Sequence, residues 1–177
     1  VLKNIQALNG RVEVHSEPGE GTSTIIRLPL TLAILDGQLA AAGGQTFVIP
    51  MLSIQESIQV EQERIQSLGG RQQIYQLREE YIPLVRLHDV FNLPGEPPAL
   101  ADGLLVVMES GDGRRVGLFV DELLGQQEVV IKSLENNFRK VTGISGGTIL
   151  GNGQVALILD VAGIEELAGI GSGREAA

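Results

Sequence analysis

Short runs of alternating apolar and polar residues, separated by tight polar or glycine-rich turns, dominate the sequence from residue 36 onward. Paired runs that flank a short turn indicate β-hairpins. Such pairs lie at 37–42 with 46–51, at 72–77 with 81–87, and at 104–109 with 114–120. Two more strands are predicted at 128–134 and 154–160. Strands at this spacing favour small barrels or a sandwich.

Helical spacing interrupts this pattern in few places. Short helices are predicted near 53–58 and 87–91, and a terminal helix at 161–168. The proline-rich stretch 93–102 has no periodicity, so we interpret it as a surface loop or a link between two subdomains. The glycine-rich stretch 143–148 is expected to be a turn rather than a phosphate loop, because no helix follows it.

The first 29 residues have a different pattern. Val1, Ile5 and Leu8 recur at helical spacing, and two short strands follow at 11–16 and 22–28. One helix and one hairpin cannot bury a core, so this segment is expected to belong to a larger domain. The sequence begins in mid-helix without Met, which predicts a piece of a longer protein.

Charge and composition exclude several classes of function. Lys and Arg number 13 against 22 Asp and Glu, and the net charge of -9 would repel nucleic acid and anionic bilayers. The absence of Cys excludes disulfides, thiolate metal sites and a thiol nucleophile. The longest aliphatic run, 104–108, is far shorter than the roughly 18 residues of a membrane-spanning helix, so no membrane insertion is expected.

The titratable residues give no catalytic or metal-binding pattern. His15 and His88 have no partner at a fixed spacing, so a structural role is expected for each. The acidic pairs at 79–80, 121–122 and 165–166 are interpreted as solvated turns. Judged by local signal alone, the segment 19–22 is a hairpin turn.

Several longer stretches together resemble one family. The stretches 9–12, 16–22 and 26–37 are similar to the place where the ATP-binding domain of bacterial chemotaxis histidine kinases, the CheA family, runs into the regulatory domain. The stretches 81–87 and 117–128, with further matches between 143 and 161, resemble the regulatory domain that this family shares with the CheW adaptors.

The resemblance implies a mainly β fold and two regions. Residues 36–168 would form two small SH3-like five-stranded barrels of the CheW-like type. Residues 1–35 would be a helix-plus-hairpin remnant of an α/β ATPase domain with its linker. The small, polar stretch 169–177 is itself expected to be a disordered tail.

The resemblance also implies a regulatory and scaffolding role in the cytoplasm. Such a module would couple the kinase to a CheW-like adaptor and to the cytoplasmic tip of a chemoreceptor, within membrane receptor arrays. The parent would use ATP and magnesium and would dimerise through a domain that this chain lacks, whereas the chain itself is expected to need no cofactor. Gly19, Gly21 and Thr22 correspond to the lid over ATP in that family.

Five residues are predicted to contact a partner. Glu56 and Arg78 resemble a charged pair of the adaptor family, and two unrelated surface charges are the alternative. Ile54, Ile58 and Val60 are apolar residues near the predicted helix at 53–58, and a place in the core is the alternative for each.

Two other functions are weighed against the regulatory module. A free-standing adaptor would have no reason to carry residues 1–35. A residual ATP-dependent kinase would need the metal-holding asparagine and aspartate motifs, which the resemblance places upstream of Val1, because phosphoryl transfer depends on positioning and electrostatics.

We predict that the chain neither hydrolyses ATP nor transfers phosphate, because residues 19–22 would form only one side of a nucleotide pocket. Incubation with labelled ATP and magnesium should give no more product than buffer. Turnover above buffer that disappears in Thr22→Ala would contradict this prediction.

Overall fold

The structure is a computed structural model of the 177-residue chain. It describes residues 5, 11–28, 34–69, 72–132 and 141–169. The chain divides into two units, Val1–Ala33 and Ile34–Ala177. Apart from Ile5, which is helical, the helix predicted at the start of the chain lies outside the described residues, as does the tail from residue 170.

The first unit contains an antiparallel hairpin of β1 (Arg11–Glu17) and β2 (Gly21–Arg27). The register runs from Arg11 opposite Arg27 to Glu17 opposite Gly21. Gly19 in the turn and Gly21 at the start of β2 have φ angles of 91° and 112°, a region that favours glycine, so they allow the chain to reverse tightly. The hairpin predicted from the alternating pattern is therefore confirmed.

The second unit is built almost entirely of strands. In chain order these are β3 (Ile34–Ala42), β4 (Gln45–Pro50), β5 (Ile54–Gln59), β6 (Ile65–Leu68), β7 (Gln72–Leu77), β8 (Glu80–Arg86), β9 (Leu104–Glu109), β10 (Arg115–Val120), β11 (Glu122–Val130), β12 (Ile144–Ile149) and β13 (Val155–Leu159). Two short helices follow β8 and β13, namely α1 (Leu87–Val90) and α2 (Val161–Leu167).

The strands form two sheets, each of which curls towards a barrel. The five-stranded sheet has the order β11-β3-β4-β13-β12. Its two edges are joined where Lys132 N–H donates to Gly147 O at 2.9 Å and Gly147 N–H donates to Lys132 O at 3.2 Å. The six-stranded sheet has the order β5-β9-β10-β8-β7-β6. It therefore has one strand more than the expected five.

Early and late strands are interleaved in both sheets. β8 pairs with β10 in parallel within the six-stranded sheet, and β4 pairs with β13 in parallel within the five-stranded sheet. The loop 93–102 connects α1 to β9, whose sheet already contains β8. The loop is thus a surface connection, and the alternative of a link between two subdomains is wrong, because each barrel draws strands from both halves of the chain.

One apolar cluster lies between the two sheets and takes residues from both. Phe47 and Ile49 of β4 point into it from one sheet, and Val106 and Met108 of β9 from the other. The alternate residues of the same strands face the opposite way: Val48 lies in the core of the five-stranded barrel, and Leu105 and Val107 lie in the core of the six-stranded barrel. These strands are buried on both faces, which explains their continuous apolar sequences.

Three local predictions were wrong. The helix predicted near 53–58 is absent: a 3-10 turn ends at residue 53 (Met51–Ser53), and residues 54–58 lie in strand β5, whose side chains alternate with a period of two. Strand β11 begins at Glu122 rather than at residue 128. Residues 143–148 lie mostly in strand β12 rather than in a turn, and a Cβ at Gly146 would lie 3.0 Å from Ile131 Cγ2, so close approach explains this glycine.

The shared core predicts a large difference between two leucines. Leu118→Ala should destabilise the fold by about 2–5 kcal/mol, because Leu118 is fully buried in the central cluster. Leu52→Ala is the matched control and should change the free energy of unfolding by less than about 0.5 kcal/mol, because Leu52 is 96% exposed. Denaturant titration measures both values, and similar losses in the two variants would contradict the shared core.

Candidate functional site

Glu56 and Arg78 meet at one end of the six-stranded barrel. Glu56 lies on the edge strand β5, and Arg78 lies in the turn between β7 and β8 with a φ of 55°. Curling of the sheet brings them together, and Arg78 Nη2 donates to Glu56 Oε2 at 3.2 Å. The two predicted residues therefore form a real ion pair, while its role in binding a partner stays a prediction.

Further ion pairs surround this end of the barrel. Arg115 Nη1 lies 3.0 Å from Glu80 Oε2, and Arg115 Nε lies 3.8 Å from Glu109 Oε2. Both pairs are solvent-exposed, and exposed pairs contribute only about 0–1 kcal/mol each to stability. These charges therefore contribute little to holding the fold.

The turn between β9 and β10 holds an acidic residue whose pKa is perturbed. The Ser110 hydroxyl donates to Asp112 Oδ1 and is the main cause that lowers the pKa of Asp112 below its usual value. Arg114 adds to this effect through its backbone N–H and through its guanidinium, which lies 2.7 Å from Asp112 Oδ2. Asp112 thus keeps its negative charge to a lower pH than an ordinary aspartate.

The three apolar residues predicted to contact a partner lie mostly inward. Val60 is buried in the core of the six-stranded barrel, so its side chain is not on the surface that a partner would contact. Ile54 and Ile58 are half-buried and pack against the central cluster and the six-stranded core respectively. The exposed positions of β5 are Gln55, Ser57 and Gln59. Val60 therefore lies in the core, which was the alternative to partner contact, whereas Ile54 and Ile58 lie in the core only in part.

An exposed apolar row on the five-stranded barrel escaped the sequence analysis. Ile34 of β3 lies opposite Val130 of β11, and Ile149 of β12 lies opposite Val155 of β13. The bridge between Lys132 and Gly147 sets an antiparallel register that brings Val130 next to Ile149. The four side chains are 67%, 48%, 56% and 59% exposed in chain order. This apolar row crosses four neighbouring strands, and exposed apolar patches commonly mark protein-binding sites.

The residues assigned by resemblance to an ATP lid lie in the first unit. Gly19 is in the turn between β1 and β2, and Gly21 and Thr22 begin β2. Thr22 Oγ1 lies 3.1 Å from Ser16 Oγ across the hairpin, and the lid residues are exposed. A strand rather than a helix follows them, so their amides do not form the helix N-terminus that commonly binds phosphate.

Two of the acidic residues interpreted as solvated are not. Glu165 is buried in α2, with its Oε2 3.7 Å from Arg114 Nη2, and Asp121 is half-buried beside His88. Their neighbours come from distant parts of the chain, so local sequence could not place them. Among the described residues, no group of three or more His, Cys, Asp or Glu could hold a metal ion.

Comparison with known proteins gives consistent matches over most of the chain. Residues 36–168 match the family model described as the CheW-like domain. A chemotaxis protein CheA from Klebsiella aerogenes is 47% identical over 94% of this chain and 26% of its own length. A chemotaxis protein CheA from Rhizobium meliloti is 44% identical, and the sensor histidine kinase CheAY from Helicobacter pylori 37%; the matches cover 91% and 95% of this chain and 21% of each relative.

A solved structure supports the fold independently. The scaffolding protein TtCheW from Thermoanaerobacter tengcongensis superposes with a TM-score of 0.56 at 13% identity, covering 73% of this chain and 90% of that one. At this identity the likeness concerns the fold alone. The resemblance to CheA kinases that the sequence motifs indicated is confirmed, and the chain spans about a quarter of the length of those relatives.

The ion pair between Glu56 and Arg78 should contribute little to folding. Glu56→Arg and Arg78→Glu are made singly and together, and the coupling free energy from the double-mutant cycle should lie within about 1 kcal/mol, because both side chains remain accessible to water. Denaturant titration supplies the four free energies. A coupling of several kcal/mol would show that the pair is structural.

Proposed function

Because this chain belongs to the CheW-like domain family, we propose that it is the regulatory and scaffolding module of a chemotaxis histidine kinase. In this role it binds a CheW-like adaptor and, more weakly, the helical cytoplasmic tip of a chemoreceptor. The observation that carries the proposal is the apolar row Ile34, Val130, Ile149 and Val155, which no part of the described second unit covers.

The interior of the second unit supports binding through the outer surface. Both barrel interiors and the space between the sheets are filled by side chains. A small barrel filled in this way has no room for a ligand inside. A partner would therefore contact strand ends and exposed faces, where the apolar row and the Glu56–Arg78 pair lie.

The two surfaces differ in what they can contribute. Burial of exposed Ile and Val side chains favours association at roughly 25 cal/mol per Å² of apolar area, although ordering costs reduce the net gain. Ion pairs such as Glu56–Arg78 act mainly on orientation and on the rate of encounter. We assign adaptor affinity to the apolar row and orientation to the charged end of the six-stranded barrel.

Catalysis belongs to other parts of the parent in this proposal. The relatives are named as chemotaxis proteins and a sensor histidine kinase, but the chain matches only 21–26% of the length of the three described above. We assign ATP, magnesium and dimerisation to the remaining three quarters, and no cofactor to this chain. Gly19, Gly21 and Thr22 would complete a nucleotide lid only in the intact parent.

The proposed place of action is the cytoplasmic side of receptor arrays. Within the described residues, no helix is long and apolar enough to cross a membrane. The parent would reach the membrane by binding receptor tips rather than by insertion. The net charge of -9 is consistent with this, since it does not favour binding to anionic lipid.

Two valines provide a matched test of the apolar row. Val155→Asp should weaken binding of a purified CheW-like adaptor at least tenfold, because it places a charge within the buried contact. Val14→Asp is the control and should stay within about twofold of the unchanged chain, because Val14 is 61% exposed, close to the 59% of Val155, but lies in the first unit. Isothermal titration calorimetry measures both affinities.

Each outcome of this titration has a distinct meaning. No saturable binding of adaptor or receptor-tip peptide by the unchanged chain near physiological salt would refute the proposed function. Binding that Val155→Asp and Val14→Asp weaken equally would leave the function standing but would contradict its assignment to the apolar row.

A further inference from the structure

His88 and Asp121 form a buried polar contact at the junction of the two barrels. The His88 side chain is 5% exposed, and its Nε2 lies 3.2 Å and 3.4 Å from the two carboxylate oxygens of Asp121. His88 belongs to α1, directly after β8 of the six-stranded sheet. Asp121 is the single residue between β10 of that sheet and β11 of the other, so it marks the crossover from one barrel to the next.

The same aspartate holds the first hairpin of the five-stranded barrel. Asp121 Oδ2 accepts the N–H of Gly43 at 2.9 Å, and the backbone N–H of Asp121 donates to Ala41 O at 2.9 Å. Gly43 lies in the turn between β3 and β4 with a φ of 55°. A Cβ there would lie 2.7 Å from Leu93 Cβ and 3.2 Å from His88 Cε1, so the turn is packed tightly against the helix side of the junction.

The position of one ring proton of His88 follows from its contact with Asp121. An ionised carboxylate only accepts hydrogen bonds, so Nε2 must carry a proton to donate to Asp121. His88 Nδ1 is buried and has no hydrogen-bond partner among the described residues. The geometry therefore indicates a proton on His88 Nε2.

Directional contacts of this kind fix the angle between the two barrels, which the apolar core alone does not fix. Apolar packing is non-directional, whereas hydrogen bonds weaken steeply when they are bent. At the junction the central cluster supplies the adhesion and includes Phe47 stacked on Phe91 at 5.6 Å. The contacts of Asp121 supply the direction, since they reach α1 on one side and the β3–β4 turn on the other.

We propose that His88 and Asp121 form a latch that sets the angle between the two barrels, with His88 as the positioning residue. The latch has a consequence for docking that rests on the proposed function. The Glu56–Arg78 pair lies on the six-stranded barrel and the apolar row on the five-stranded barrel, so a partner that contacts both surfaces depends on that angle.

Two substitutions at His88 separate the latch from simple packing. His88→Leu removes the donor and frees the Asp121 carboxylate, which is 28% exposed, to turn towards water. His88→Gln keeps an N–H near the position of Nε2 and should restore the contact. His88→Phe keeps the ring volume without either nitrogen, and it replaces His88→Leu if that variant does not fold.

Amide hydrogen exchange on the full chain measures the effect of the latch on the hydrogen bond of the Gly43 amide. In His88→Leu the Gly43 amide should exchange on the order of tenfold faster, as expected when a hydrogen bond to a charged group is lost, and His88→Gln should stay within about twofold of the unchanged chain. The core amides of Val106 and Leu118 are the internal control and should keep their rates. An unchanged Gly43 rate in His88→Leu, or equal rates in the two variants, would overturn the latch.

Nuclear magnetic resonance measures the angle between the two barrels and locates the ring proton of His88. Residual dipolar couplings of the two barrels should fit one alignment tensor in the unchanged chain and two in His88→Leu, and a single tensor in that variant would overturn the latch. Long-range proton–nitrogen spectra should show a proton on Nε2, and a deprotonated Nε2 would overturn the assignment of His88 as donor.

Adaptor titration of the same variants separates the latch from the proposed function. Weaker binding by His88→Leu, restored in His88→Gln, is expected. Full affinity in His88→Leu would overturn the link between angle and docking. If the unchanged chain binds no adaptor, the proposed function fails, while the exchange and coupling results still decide whether the latch exists.

Discussion

The apolar cluster that both sheets share is the constraint on which the second unit depends. β4 and β9 each bury one face in that cluster and the other face in a barrel core, so removing one barrel would expose strands of the other. Neither barrel can therefore be expected to fold alone. The parallel pair β4 with β13 adds a topological reason for the five-stranded barrel, because its strands come from both sides of the segment that forms the other barrel.

The alternating pattern predicts most hairpins well, because their strands are consecutive and their turns carry glycine or polar residues. The pattern fails where contacts between residues distant in sequence determine the secondary structure. Strand β12 contains Gly146 because Ile131 approaches it closely, and from sequence alone those glycines indicate a turn. Strand β5 alternates plainly, but its two half-buried isoleucines also fit a short amphipathic helix, and only pairing with β9 decides between the two.

In the candidate site, too, local sequence does not show which residues come into contact. The Glu56–Arg78 pair was found through the resemblance to a family, since 22 positions separate the two residues and nothing in their spacing indicates contact. The apolar row could not be found in that way. Its members occur one per strand, and each is unremarkable until strand register aligns Ile34 with Val130 and Ile149 with Val155.

Affinity and orientation consequently depend on different parts of one unit. The apolar row can supply burial but little direction, and the charged end can supply direction but little affinity, because its ion pairs remain in water. The two surfaces lie on different barrels, so they can act on one partner only if the barrels hold a fixed angle. The shared core fixes the distance between the barrels, and the polar contacts at Asp121 are the directional element that completes the arrangement.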